Sequence, residues 1–242
     1  MIPWLKDDVP VFPPVAQAMC EPNGLLAAGG KLRVDWLLAA YQRGIFPWFS
    51  DGQPLLWWSP DPRMVFQPAA LHVSRSLRKL LRKGEITPRV NHDFSAVIHA
   101  CAAPRKDHAG TWISPAMIDA YLALHVAGHA HSIECWQDNQ LVGGVYGVQM
   151  GGLFYGESMF SRVPSGSKVA LAFLSCLATL GGIDLIDCQM ETPHLHSMGA
   201  RPMPRAQFIQ QVALSALKPI GPEVWVAPSN EIFQTWLNEH RA

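Results

Sequence analysis

The chain has 242 residues, of which 49% are hydrophobic and only 16% charged, so a sizeable buried core is available and intrinsic disorder is excluded. Nineteen Lys and Arg balance nineteen Asp and Glu, so no overall field recruits a polyanion and any nucleic-acid contact must be a local basic patch. Cys20, Cys101, Cys135, Cys176 and Cys188 include no CxxC pair, which argues against a disulfide framework or a zinc-thiolate site and for reduced thiols in a cytoplasmic protein.

Residues 1–30 are rich in Pro and Gly and read as irregular structure without a signal peptide. Asp35 is an acceptable N-cap for a helix that Gly44 ends. The segment Phe46-Pro47-Trp48-Phe49 and the following Trp57-Trp58-Ser59-Pro60-Asp61-Pro62-Arg63 predict a stiff, ordered loop. Ser74 predicts the cap of a helix running to Lys83, with Leu77, Leu80 and Leu81 on one face and Arg75, Arg78, Lys79 and Arg82 on another. Further helices are expected from Asp93 and from Ser114-Pro115.

At His131 the hydrophobic period changes from helix to strand. Strands are expected over His131–Trp136, Gln140–Val148 and Leu153–Met159, with turns at Asp138-Asn139 and Met150-Gly151-Gly152. A helix over Ser167–Leu180 and a strand over Asp184–Cys188 follow. Helices near Pro204–Leu217 and Asn230–Asn238 close the chain, with a short strand around Val224. The longest apolar run, Val169–Leu180, is too short to span a bilayer. The order predicts an α+β fold. It divides into a small N-terminal domain over 1–63 and a larger lobe over 64–242 that includes the basic helix 74–83.

Several clusters carry chemistry. Alternation along a strand puts Asp187 and Gln189 on one face and Cys188 on the other. Glu157 interrupts an apolar strand, where a carboxylate is costly unless partnered. Arg75, Arg78, Lys79, Arg82 and Lys83 fall within nine positions with no acid among them, a pattern suited to phosphates as well as to a solvated surface. The tryptophans could stack on unpaired bases or simply fill the core. His129-Ala130-His131 and His194-Leu195-His196 lack a carboxylate at fixed spacing and are rejected as metal ligands.

Six motifs occur in order: Glu21-Pro22-Asn23-Gly24-Leu25-Leu26, Tyr41-Gln42-Arg43-Gly44-Ile45-Phe46-Pro47-Trp48-Phe49, Trp57 to Arg63, Gly110-Thr111-Trp112-Ile113, Gly156-Glu157-Ser158-Met159-Phe160-Ser161 and Ile186-Asp187-Cys188-Gln189. Together they closely resemble the bacterial leucyl/phenylalanyl-tRNA–protein transferases. The resemblance implies a C-terminal lobe of the N-acetyltransferase (GNAT) type. It also implies transfer of leucine, phenylalanine or, less readily, methionine from aminoacyl-tRNA to proteins beginning with arginine or lysine, marking them for degradation. By the same resemblance, Trp48 and Trp112 surround the terminal adenosine, and Phe154, Met159 and Leu171 form the donor side-chain pocket. Tyr121 and Glu157 join the substrate-binding set, and the basic helix meets tRNA. Asp187 and Gln189 would activate the attacking amine, Asp187 by polarising that contact or accepting the proton. Neither metal nor cofactor is implied, and a monomer is expected. Val145 departs from the pattern, being shorter than the apolar residue expected there. An acyl-CoA-dependent acyltransferase and a non-catalytic tRNA or peptide-end binder are the alternatives.

Overall fold

The computed structural model describes residues 2–6, 8–50, 52–104 and 112–240. Two sheets organise these residues. The small one has the order β1-β2-β4-β3, built from β1 (Trp4–Leu5), β2 (Leu25–Gly29), β3 (Phe46–Pro47) and β4 (Leu56–Trp58), with helix α1 (Val34–Tyr41) between β2 and β3. The supposed loop 46–58 is therefore partly a hairpin, with Phe46 opposite Trp58 and Pro47 opposite Trp57. Residues 1–30 also contain more structure than their Pro and Gly suggest. All five residues of β2 are buried, and β2 pairs with β4 on one side and β1 on the other. Phe12, Trp36 and Trp57 form the core here, with ring centroids 4.8–6.2 Å apart. The N-cap of α1 is Arg33 and not Asp35. Asp35 sits in the first turn, where a carboxylate suits the helix N-terminus, and it pairs with Arg33 at 2.6 Å.

Beyond Trp58 the chain enters the large sheet through β5 (Arg63–Phe66). It continues through α2 (Arg75–Lys83), β6 (Thr87–Val90), α3 (Phe94–Ala102), α4 (Pro115–Val126), β7 (Ala130–Gln137), β8 (Gln140–Met150) and β9 (Leu153–Ser161). Then come α5 (Gly166–Leu180), β10 (Leu185–Gln189), α6 (Pro193–Ser197), β11 (Arg201–Met203), α7 (Arg205–Ser215) and α8 (Asn230–Glu239). The sheet order is β11-β5-β10-β9-β8-β7-β6. Every pair in it is antiparallel except β9 with β10, which α5 connects as a crossover helix.

Local chemistry explains these elements. The side chains of Ser74, Asp93 and Ser114 accept from the backbone N–H three residues on and so start α2, α3 and α4. Asp138 and Asn139 both adopt positive φ, the conformation a two-residue hairpin turn requires. Helix α5 is buried on every side from Val169 to Ala178, as befits a core helix. It lies so close to β8 that a Cβ on Gly143 would meet the Gly166 backbone at 2.8 Å. The segment around Val224 is a 3-10 turn over Pro222–Trp225 and not a strand, because Pro222 opens a helical turn and donates no ladder bond. No helix among the described residues is long and apolar enough to cross a membrane.

The buried residues form two clusters, one on each side of the large sheet. Ile186, Phe154 and α5 belong to one, whereas Tyr155, Tyr146, Tyr121 and the small sheet's Trp36 and Trp57 belong to the other. The two sheets thus share a continuous core, and α1 is brought against the face of β9 that carries the polar site.

Candidate active site

Strands β9 and β10 pair from Leu185–Leu153 to Asp187–Tyr155 and then part. A cavity of about 1060 Å³ opens where they separate, its walls including Trp112, Glu157, Met159, Leu171, Cys188 and Gln189. A second irregularity lies on the other edge of β9, in its pairing with β8. Gly147 pairs with Gly156 and Tyr146 with Ser158, which leaves Glu157 as the extra residue of a bulge.

Asp187 does not face this cavity. It is fully buried and takes a bidentate ion pair from Arg63, with Nε to Oδ1 at 2.8 Å and Nη2 to Oδ2 at 2.6 Å. The Arg63 guanidinium also donates to the Gly44 carbonyl and lies between the Phe46 and Phe208 rings, 4.7 Å from each centroid. Asp187 Oδ1 accepts a further bond from the Gln189 N–H at 2.9 Å. With both oxygens engaged and no exposure, Asp187 cannot take a proton directly from a substrate amine. The side chain instead fixes the backbone of Gln189.

Simple strand alternation does not place Gln189. The register shifts between Asp187 and Gln189, and Gln189 has φ +61°, the left-handed region that a non-glycine residue seldom occupies. Through this bend the amide reaches the polar face, and its Nε2 donates to Glu157 Oε1 at 2.8 Å. Cys188, expected to point away, contributes to the cavity wall. Burial pushes its thiol well above the ordinary range, so it carries no thiolate there.

Glu157 is buried but richly partnered. Tyr41 and Tyr121 both contact it, at 2.8 and 2.7 Å, and their hydroxyls lie 2.5 Å apart. Desolvation pushes its pKa up to about 7, the two tyrosine hydroxyls pull it back, nearby Asp187 raises it and Arg63 lowers it. Tyr121 is fully buried and takes its place in the site as a partner of Glu157, with no surface on the cavity.

The remaining expected residues divide. Met159 and Leu171 line the cavity together with Val145, Leu174 and Ile186, and Trp112 lies at its edge. Phe154 lies behind the wall against Trp225, at 5.3 Å between centroids. Trp48 is 40% exposed and packs edge-on against Trp58 at 5.4 Å, outside the cavity lining. Gly110 and Thr111 lie outside the described residues. The basic helix is not uniformly available. Arg78 donates to the Leu237 and His240 carbonyls at the end of α8, Arg82 donates to Asn238, and Lys83 pairs with Glu85. Arg75 and Lys79 are exposed and have no ion pair among the described residues. Among the described residues no cluster of three His, Cys, Asp or Glu could hold a metal.

Arg63 and Tyr41 are the two partners of this polar cluster that motif reading passed over. Both stand inside quoted motifs. The usable signal for Arg63 was a lone cation opening the apolar run Met64-Val65-Phe66, which demands a buried partner.

Comparison with known proteins bears on the same residues. The family described as leucyl/phenylalanyl-tRNA protein transferase matches residues 65–213, and the N-terminal domain of that family matches residues 30–61. The leucyl/phenylalanyl-tRNA–protein transferase of Azoarcus sp. (strain BH72) is 58% identical over 208 residues, covering 86% of this chain and 88% of that protein. The protein of the same name from Bordetella avium (strain 197N) is 55% identical over 230 residues, covering 91% of this chain and 92% of its own. Among solved structures, a GCN5-related N-acetyltransferase from Kribbella flavida superposes with a TM-score of 0.38 at 13% identity, over 69% of this chain and 59% of that one. That likeness is too weak to carry an argument; the α+β architecture, the family match and the polar site agree without it. By these matches the chain belongs to the leucyl/phenylalanyl-tRNA protein transferases, a family of aminoacyltransferases.

Proposed function

We propose that this chain transfers leucine, phenylalanine and, less readily, methionine from aminoacyl-tRNA to the N-terminal Arg or Lys of acceptor proteins, marking them for degradation. The observation that carries the reading is Gln189 at the cavity wall, held once through its backbone and once through its side chain. Its N–H is tied to Asp187 and its Nε2 to Glu157, which leaves Oε1 with no hydrogen bond among the described residues.

The reaction is aminolysis of an ester. An α-amine has a pKa of about 7.7–8.0, so part of it is already neutral near neutral pH. Gln189 Oε1 accepts one amine N–H and aims the nitrogen lone pair at the ester carbonyl. As the C–N bond forms and the bond from the carbonyl carbon to the ribose oxygen breaks, the amine proton passes, directly or through water, to that leaving oxygen. An amide oxygen is too weak a base to keep the proton, so Gln189 orients and polarises. Asp187 and Arg63 act as positioning residues behind it. The apolar wall of Met159, Leu171, Leu174 and Val145 receives the donor side chain by shape, and one methylene there is worth only about 1–3 kcal/mol. Trp48 and Trp112 are assigned to the terminal adenosine. Of the carboxylates near the cavity mouth, Glu191 is the exposed one, 61% accessible and paired with His196, and it is assigned to the cationic acceptor side chain.

Radiolabelled Leu-tRNA and a peptide beginning with Arg test the reading. Label passes to that peptide and not to one beginning with Ala. Tight acetyl-CoA binding with no tRNA dependence overturns it in favour of a CoA-dependent acyltransferase.

The tRNA surface is tested separately. Arg75→Glu and Lys79→Glu should weaken tRNA binding and each reduce the salt slope by about one. Arg78→Ala should act differently, since it removes the contacts that hold the end of α8, and should lower thermal stability. Unchanged tRNA affinity in the Arg75 and Lys79 variants would remove the patch from the binding surface.

A further inference from the structure

Tyr41 from α1, Tyr121 from α4 and Glu157 from β9 form a closed triangle of oxygens inside the protein. Its three edges are 2.5 Å between the hydroxyls, 2.8 Å from Tyr41 to Glu157 Oε1 and 2.7 Å from Tyr121 to Glu157 Oε2. Each edge of this length needs a hydrogen, because two oxygens so close repel without one. The two phenols supply two hydrogens. A carboxylate supplies none, so an ionised Glu157 leaves one edge empty. A protonated Glu157 closes the ring: Tyr121 donates to Tyr41, Tyr41 to Oε1, and Oε2–H to Tyr121. Oε1 then remains the carbonyl oxygen and accepts from Gln189 Nε2 as well.

We infer that Glu157 carries a proton in the resting enzyme up to near-neutral pH, and that Tyr41 and Tyr121 are positioning residues which hold this neutral acid against Gln189. The inference rests on the reaction proposed above only for its catalytic consequence. The protonation itself follows from the count of hydrogens.

The surroundings agree. Burial dominates at Glu157 and pushes it up to about 7, an ordinary carboxyl being near 4.5. Burial also pushes Tyr41, Tyr121 and the neighbouring Tyr146 well above the usual phenol range, so these phenols keep their own protons. The charges facing Glu157 are those of Asp187 on β10 and Arg63 on β5, and they oppose one another. A neutral Glu157 keeps a second anion out of a site that already holds Asp187. The oxyanion of the tetrahedral intermediate then develops without a carboxylate beside it, while Glu157 still orients the Gln189 amide.

Carbon-13-edited infrared spectra of the free enzyme test the protonation without any substrate. Wild type should show a neutral carboxylic-acid band that disappears as pH rises through about 7, absent from Glu157→Gln. Tyr41→Phe removes a donor to the ionised form, so the band should persist to higher pH. A wild-type spectrum with no acid band below about 7 overturns the inference, even if leucine transfer proceeds; failed transfer with the band present instead overturns the proposed reaction. In transfer assays the wild-type rate should fall relative to Glu157→Gln by about tenfold per pH unit once Glu157 ionises. A constant ratio across that range would show that the proton has no catalytic part.

Discussion

Arg63→Met is expected to lower the unfolding free energy by about 3–5 kcal/mol, because it leaves the Asp187 carboxylate buried without its counter-ion. Neither side chain of the pair is exposed, and the pair is bidentate. Water cannot reach the abandoned charge, so the penalty is that of an unpaired ion in a low-dielectric site. Removing Arg63 also frees the Gly44 carbonyl and empties the space between Phe46 and Phe208, the seam where the small sheet meets the large one. The double variant Arg63→Met/Asp187→Leu should regain much of the stability, since apolar replacement of a buried pair is often neutral or favourable. It should not regain transfer, because Gln189 loses the anchor for its N–H. Urea unfolding of the two variants checks the first part and single-turnover transfer the second. A single variant within about 1 kcal/mol of wild type would mean that solvent or rearrangement neutralises Asp187.

The second large effect is catalytic. Gln189→Ala should slow transfer by about 10²–10³-fold while leaving tRNA affinity nearly unchanged, the signature of an interaction made only as the amine attacks. Single-turnover label transfer measured alongside filter binding separates the two quantities. The magnitude follows from preorganisation: Asp187 fixes the Gln189 backbone through its N–H and Glu157 fixes the side-chain amide through its Nε2, so the amide oxygen needs little reorientation when the amine arrives. A rate within about threefold of wild type would require another group to orient the amine.

Much of the helical frame was legible in order. Ser74, Asp93 and Ser114 cap their helices as their positions promised, and Asp138-Asn139 turns its hairpin. These signals are local, carried by side chains that bond the backbone within three residues. The strands β1 to β6 and β11 were not legible. Each is five residues or fewer, and apart from the β3–β4 hairpin their pairing partners lie far off in the chain, as with Arg201–Met203 against Arg63–Val65.

The site divides along the same line. The sequence by itself determined the family, singled out Asp187, Gln189 and Glu157 as candidates together with the wall residues Met159 and Leu171, and showed that Glu157 needs partners if buried. Only the tertiary structure decided who those partners are. Arg63 reaches Asp187 across 124 residues through the pairing of β5 with β10, and Tyr41 reaches Glu157 across 116 through the packing of α1 against the large sheet. It also turned Asp187 from a candidate base into a buried anchor, and Arg78 from a phosphate ligand into a brace for α8. Residue type sets what a group can do, but solvent access and the partners already bound to it set what it is free to do, and those are properties of the packed chain.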